Sequence, residues 1–140
     1  MKLSEAADRV IELARKVREY YTAELPKRHP HYPLVGLGEE GPPPPREETQ
    51  LRNFLATLSA DLVCRLILIM YLGRGDFSTD QLAEQYQALK STLSDPEYAA
   101  SEMMGKAPLA DYLLDGLEEL RKQNIDVDKL PLKRAKVPKR

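Results

Sequence analysis

The sequence predicts an all-α protein: a compact bundle of about five helices, with a long Pro/Gly-rich loop and a basic C-terminal tail. Two observations carry this. Apolar residues recur at spacings of three and four through most of the chain. The interruptions fall at Pro, Gly and Ser, residues that start and stop helices. At 140 residues, 42% apolar and 31% charged, the chain has the size and balance of one soluble domain with a core of its own.

Residues 1–25 read as an N-terminal amphipathic helix. Leu3, Ala6, Val10, Leu13, Val17 and Tyr20 form one apolar seam. Ser4 is the expected N-cap. Glu5–Arg9 and Glu12–Lys16 are i,i+4 pairs with the acid first, the better orientation. Such pairs contribute only about 0.2–0.5 kcal/mol each. The seam must therefore dock on the domain or on a second chain. Pro26 is expected to end this helix.

Residues 26–46, PKRHPHYPLVGLGEEGPPPPR, read as an irregular loop. Pro42 to Pro45 favour polyproline II. His29 and His31 are the metal-ligand candidates of the chain, but a zinc site needs three or four ligands and no Cys is near. With Lys27 and Arg28 they read better as a solvated basic loop. No metal and no cofactor is expected.

The core domain is placed at residues 47–124. Its first helix is expected to run unbroken from Glu47 to Leu72. Asn53, Thr57, Asp61 and Arg65 mark a polar stripe; Leu51, Leu55, Leu58, Leu62, Leu66 and Ile69 mark the apolar side. The stripe stops at Arg65, and Leu66 to Leu72 are apolar on every side. That end must be surrounded by protein. Cys64, the single cysteine, lies in this setting and reads as a small buried hydrophobe. Four or five short helices supply few neighbours for such an end. Leu66, Ile67, Ile69 and Met70, with Val10, Leu13 and Val17 of the first seam, are therefore the expected interface of a homo-oligomer.

Gly73, Arg74, Gly75, Asp76 and Ser78 form the expected hinge. Gly73 suits the left-handed residue after a helix. Arg74 and Asp76 can pair. Ser78 and Gln81 make a capping box, flanked by the Phe77–Leu82 staple. Leu82, Tyr86, Leu89 and Leu93 give the buried face of the next helix. An Arg-Gly-Asp adhesion role is set aside in favour of this turn. No phosphate-loop pattern is present.

Ser94 and Glu97 form another expected capping box, with Pro96 in the first turn. Tyr98, Met103 and Met104 supply the contacts of this short helix, which stops at Gly105. Pro108 opens the last helix. Leu109, Leu113, Leu117 and Leu120 face the core; Asp111, Asp115, Glu118 and Glu119 form an acidic outer ridge. Such a ridge can bind a cation, but is more often a solvated face. Residues 125–140 form the basic tail. Its candidate polyanion contacts are Lys133, Arg134, Lys136, Lys139 and Arg140. The six basic residues after Asp128 leave the first 128 residues at −7 against a total of −1. The tail has no aromatic residue for base stacking, so nucleic acid is not the expected partner.

The apolar run closing in LGRGDF, residues 72–77, and PLADYLLDGLEEL, residues 108–120, resemble the domain of unknown function 3775 family of small bacterial proteins. The resemblance covers Leu51 to Leu120. It implies a compact helical domain and implies no activity. The N-terminal helix, the Pro-rich loop and the tail lie outside it.

No catalytic constellation stands out. The functional expectation is a small helical interaction or regulatory module that self-associates. A metal-dependent enzyme using His29, His31 and the acidic ridge is the alternative, followed by a nucleic-acid accessory protein acting through the tail. The longest apolar run is too short to span a membrane. MKLSEAADRV carries charges where a signal peptide needs an apolar stretch. The expected compartment is the cytoplasm.

Overall fold

Helix α4, Ala60–Arg74, is the axis of the molecule. In the computed structural model its Leu66, Ile67, Leu68, Ile69 and Met70 are all 0% exposed. The structure describes residues 1–28, 44–93, 95–106 and 108–130. Around α4 lie α1 (Leu3–Glu19), α5 (Leu82–Thr92), α6 (Pro96–Met104) and α7 (Leu109–Lys122), with α3 (Arg46–Thr57) against α1 and α6. Every regular element among the described residues is helical, as the periodicity predicts. The Pro/Gly-rich stretch from residue 29 to 43, including His29 and His31, lies outside the described residues. So do Ser94, Ala107 and the tail from residue 131, with Lys133, Arg134, Lys136, Lys139 and Arg140.

The fully apolar end of α4 needs no second chain. Side chains of α1, α5, α6 and α7 meet in one continuous core around it. Val10 and Leu13 of the N-terminal seam are buried in that same core, against α3, α4 and α7. Of the residues expected at an interface, Leu66, Ile67, Ile69, Met70, Val10 and Leu13 are buried within the one chain, and Val17 is half-buried. Helix α1 docks on the domain and supplies part of that cover.

The expected helix over 47–72 is two helices. Leu58 and Ser59 are extended, with ψ of 152° and 154°. The Ser59 hydroxyl caps α4 by accepting from the Leu62 N–H at 3.1 Å. The polar stripe hides the break because Asn53 and Thr57 close one helix while Asp61 and Arg65 open the next. The first helix also departs from expectation. It does not stop at Pro26 but passes through a π turn, Tyr20–Glu24, into the single turn α2, Leu25–Arg28. The Leu25 N–H reaches back five residues to the Tyr20 carbonyl. A widened turn of this kind, just ahead of Pro26, carries the chain past a residue that lacks an N–H. Lys2, not Ser4, is the N-cap residue of α1. Ser4 instead donates its N–H and hydroxyl to the two Asp128 oxygens, at 2.8 and 2.9 Å. Arg9 pairs with Glu12 at 2.8 Å rather than with Glu5, whose carboxylate accepts from the Lys2 N–H.

The two glycines of the hinge exchange roles. Gly75, with φ of 87°, is the left-handed residue. Its N–H bonds the Leu72 carbonyl, and the Asp76 N–H reaches the Tyr71 carbonyl, each at 3.1 Å. This is a Schellman ending. Helix α7 ends the same way. Asn124, at φ of 56°, donates to the Arg121 carbonyl, and Ile125 donates to the Leu120 carbonyl. Gly73 lies within α4 and serves a different need. A Cβ there would stand 1.8 Å from the Tyr112 carbonyl oxygen and 2.6 Å from the Gly116 nitrogen. Conversely, a Cβ on Gly116 would stand 2.1 Å from the Ile69 carbonyl oxygen. Helices α4 and α7 thus cross backbone to backbone, glycine against glycine. Ser78 opens a 3-10 turn, Thr79–Gln81, and its N–H donates to the Gln81 side chain at 3.1 Å. Asp95 caps α6 by accepting from the Glu97 N–H.

Candidate functional site

The C-terminal half of α1 and the π turn that follows it form one wall of a groove of about 470 Å³. This wall carries Ala14, Val17, Arg18, Tyr21 and Thr22. Glu48 and Leu51 of α3 form the second wall, and Met104, Lys106, Pro108, Leu109 and Ala110 at the α6–α7 corner form the third. The seam of α1 explains the floor. It continues from Val10 and Leu13 to Val17, past the point where core side chains cover it. The floor is therefore apolar, and the polar groups stand at the lip. A pocket of this size with an apolar lining and few polar groups has the character of a binding site.

Ion pairs hold the lip in place. Tyr21 donates its hydroxyl to Glu48 at 3.0 Å, which ties the π turn to α3. Arg18 reaches Asp111 of α7 at 2.7 Å. Lys106 Nζ lies 2.9 Å from Glu102, which also accepts the Tyr71 hydroxyl at 2.8 Å. The Lys106 ammonium and then the Tyr71 hydroxyl hold the Glu102 carboxyl below the usual carboxylate range. Burial and the bond to Glu102 push the Tyr71 hydroxyl up to about 12. The Arg74 guanidinium stands over the Tyr71 ring at 5.4 Å and pairs with Asp76 at 3.3 Å. The hinge residues Arg74 and Asp76 thus belong to a charge chain that runs across α4 and α6 to the groove lip at Lys106.

A second cluster of the same design joins α4 to α5. Tyr86 donates its hydroxyl to Asp61, which also pairs with Arg65, and Lys90 lies over the Tyr86 ring at 5.6 Å. Burial works against the Asp61 carboxylate. The bonds from Tyr86 and Arg65 together outweigh that, so its carboxyl sits below the usual range. The bond to Asp61, with burial second, pushes the Tyr86 hydroxyl up to about 12. Burial also raises the neighbouring Cys64 thiol, with the Asp61 charge as the next cause, so this cysteine has the inert rather than the reactive setting.

The Asp61 shift has a stability consequence. A carboxyl whose folded-state pKa is depressed contributes stability above its unfolded value of 3.8, and that contribution is lost as pH falls through the lower folded value. Asp61→Asn is expected to lower Tm at neutral pH, and the difference from wild type is expected to shrink as pH falls below 3.8. Tyr86→Phe is expected to cost about 1.5–3 kcal/mol, the range for a hydrogen bond to a charged group. Thermal melts at pH 7 and pH 3 check both.

Two of the four acids on the α7 ridge form surface pairs. Asp111 binds Arg18, and Glu118 binds Arg121. Among the described residues no group of three or more His, Cys, Asp or Glu could hold a metal ion. No helix among them is long and apolar enough to cross a membrane. The sequence brought none of the groove walls together. Val17 was singled out, but Tyr21, Glu48, Met104 and Lys106 come from three separate segments. The readable signal was the continuation of the α1 seam beyond Leu13. Compared with known proteins, residues 48–121 match the family described as "Protein of unknown function (DUF3775)". No curated protein and no solved structure matches the chain.

Proposed function

Given that this chain belongs to the DUF3775 family, whose description assigns no function, we propose that it is a small helical interaction module that takes an apolar segment of a partner protein in the groove. One observation carries the proposal. Among the described residues, the floor formed by Val17, Leu51, Met104 and Leu109 is apolar and opens to the surface, while Arg18, Glu48 and Lys106 mark its lip. An apolar recess rimmed by polar groups is the usual form of a docking surface. Six of the seven residues expected to drive self-association lie in the core, while the seventh, Val17, is half-buried and lines the groove. Family and non-family parts share the groove: Glu48 and Leu51 of α3 and the α6–α7 corner lie within residues 48–121, and α1 lies before them.

A photo-crosslinking residue placed at Val17 is expected to capture a protein from cell extract that one placed at Asp8, exposed on another face of α1, does not. With that protein purified, Val17→Asp is expected to abolish binding while the helical signal and melting stay near wild type. A charge on the floor would be buried without a partner in the complex. Equal labelling from both positions, or unchanged binding by Val17→Asp, would refute the groove as the docking surface.

A further inference from the structure

We propose that the segment taken by the groove is amphipathic and acidic, bringing a carboxylate to the lip beside Arg18 and Lys106. This rests on the reading of the groove as the interaction surface and names the chemistry of its partner. The floor requires apolar side chains. The lip determines what must accompany them. Arg18 spends an N–H on Asp111, and Lys106 spends one on Glu102. Neither acid lines the groove. A guanidinium carries five N–H donors and an ammonium three, so donors remain on both after those bonds. Glu48 is the acid in the lining, and one of its oxygens already accepts the Tyr21 hydroxyl. The unused capacity at the lip is thus weighted toward donors. Arg18 and Lys106 also stand on different walls, α1 and the α6–α7 corner, and bracket the opening. A partner that covers them must bring acceptors, and a carboxylate makes the stronger, charge-assisted bonds. The Arg18–Asp111 pair is more than half exposed on both sides, so it can share its guanidinium at little cost. The net acidity of the body opposes an acidic partner at long range. Screening over about 8 Å in physiological salt removes the distant part of that opposition; Asp111 and Glu102 stay close, so the preference for a carboxylate rests on the unused donors of Arg18 and Lys106.

The test uses two fluorescein-labelled helical peptides with identical Leu spacing, one carrying Glu and the other Lys at its polar positions. Each is titrated with the full chain and read by fluorescence anisotropy. The Glu peptide is expected to bind about tenfold more tightly, the scale of two exposed charge contacts acting together. The double variant Arg18→Glu, Lys106→Glu is expected to reverse the preference. Because Lys106→Glu also removes a partner of Glu102, Arg18→Glu alone serves as the second variant, with part of the reversal expected and melting checked for each. Equal binding of both peptides, lost in both on Val17→Asp, would overturn the carboxylate inference and leave the groove standing. Binding of neither peptide would overturn the inference and the groove reading together. Dodecanoate displacing the Glu peptide at lower concentration than the peptide itself requires would overturn it in favour of a small amphiphile.

Discussion

Gly73→Ala and Gly116→Ala are expected to be the most damaging single-methyl changes in the chain. Each adds a Cβ where the opposite helix has backbone. The new atom would lie 1.8 Å from the Tyr112 oxygen in the first case and 2.1 Å from the Ile69 oxygen in the second. A clash with a side chain can be relieved by a change of rotamer. A clash with a carbonyl that is part of a helix requires the helices to separate. Separation would open the core along α4, where the Leu66–Met70 side chains have no exposure to lose. Overpacking usually costs about 1–3 kcal/mol, and this case belongs at or above the top of that range. Against a total stability of about 5–15 kcal/mol, either change alone is expected to remove a large share of the stability, and Gly73→Val more still. Gly75 supplies the control. A Cβ there meets nothing within 4 Å, and only its positive φ opposes substitution. Gly75→Ala is expected to cost about 1 kcal/mol. Urea unfolding of the three alanine variants checks the order. A loss at Gly75 equal to that at Gly73 would contradict the crossing.

Leu66→Asp is expected to abolish cooperative unfolding altogether. Leu66 is 0% exposed, and a carboxylate there would have neither water nor an ion partner. The milder Leu66→Ala is expected to cost about 2–5 kcal/mol by leaving a cavity. The informative feature is how this loss depends on protein concentration. Because the neighbours of Leu66 belong to its own chain, the change in stability is expected to be the same at low and high concentration. Burial at a subunit contact would make Tm rise with concentration. Paired melts across a hundredfold range of concentration separate the two.

The helices were legible because their buried faces follow the helical period, and because Pro, Gly and Ser sit near their ends. Three features were not, each for a physical reason. The Leu58–Ser59 break leaves the polar stripe in step, so periodicity alone cannot report it; its one local signal is Ser59, a good cap residue. The roles of Gly73 and Gly75 depend on which residue turns left-handed, and either glycine permits it. Only the approach of α7 fixes the choice. The groove was the least legible of all. Its lining joins Val17, Leu51 and Met104 across three segments, and no local pattern announces that meeting. The two stretches that carry the family resemblance, LGRGDF and PLADYLLDGLEEL, contain Gly73 and Gly116 respectively. In this chain those stretches hold the two sides of the helix crossing, so the resemblance is tied to how the domain packs.

The bonds from Ser4 to Asp128 join residues 124 positions apart, and α1 rests on α7 as well as on α3. Synthesis delivers these partners in the least convenient order. Helix α1 leaves the ribosome well before α7 and finds part of its docking surface only after most of the described residues that follow it have been translated. At about 5–20 residues per second that interval is several seconds. During it the apolar seam from Leu3 to Val17 is incompletely covered, a condition in which nascent chains recruit chaperones or associate with one another. The added entropy of closing so long a loop is modest, since it grows only as the logarithm of length. The delay is therefore a matter of exposure time more than of final stability, and slowing translation after α4 would lengthen it.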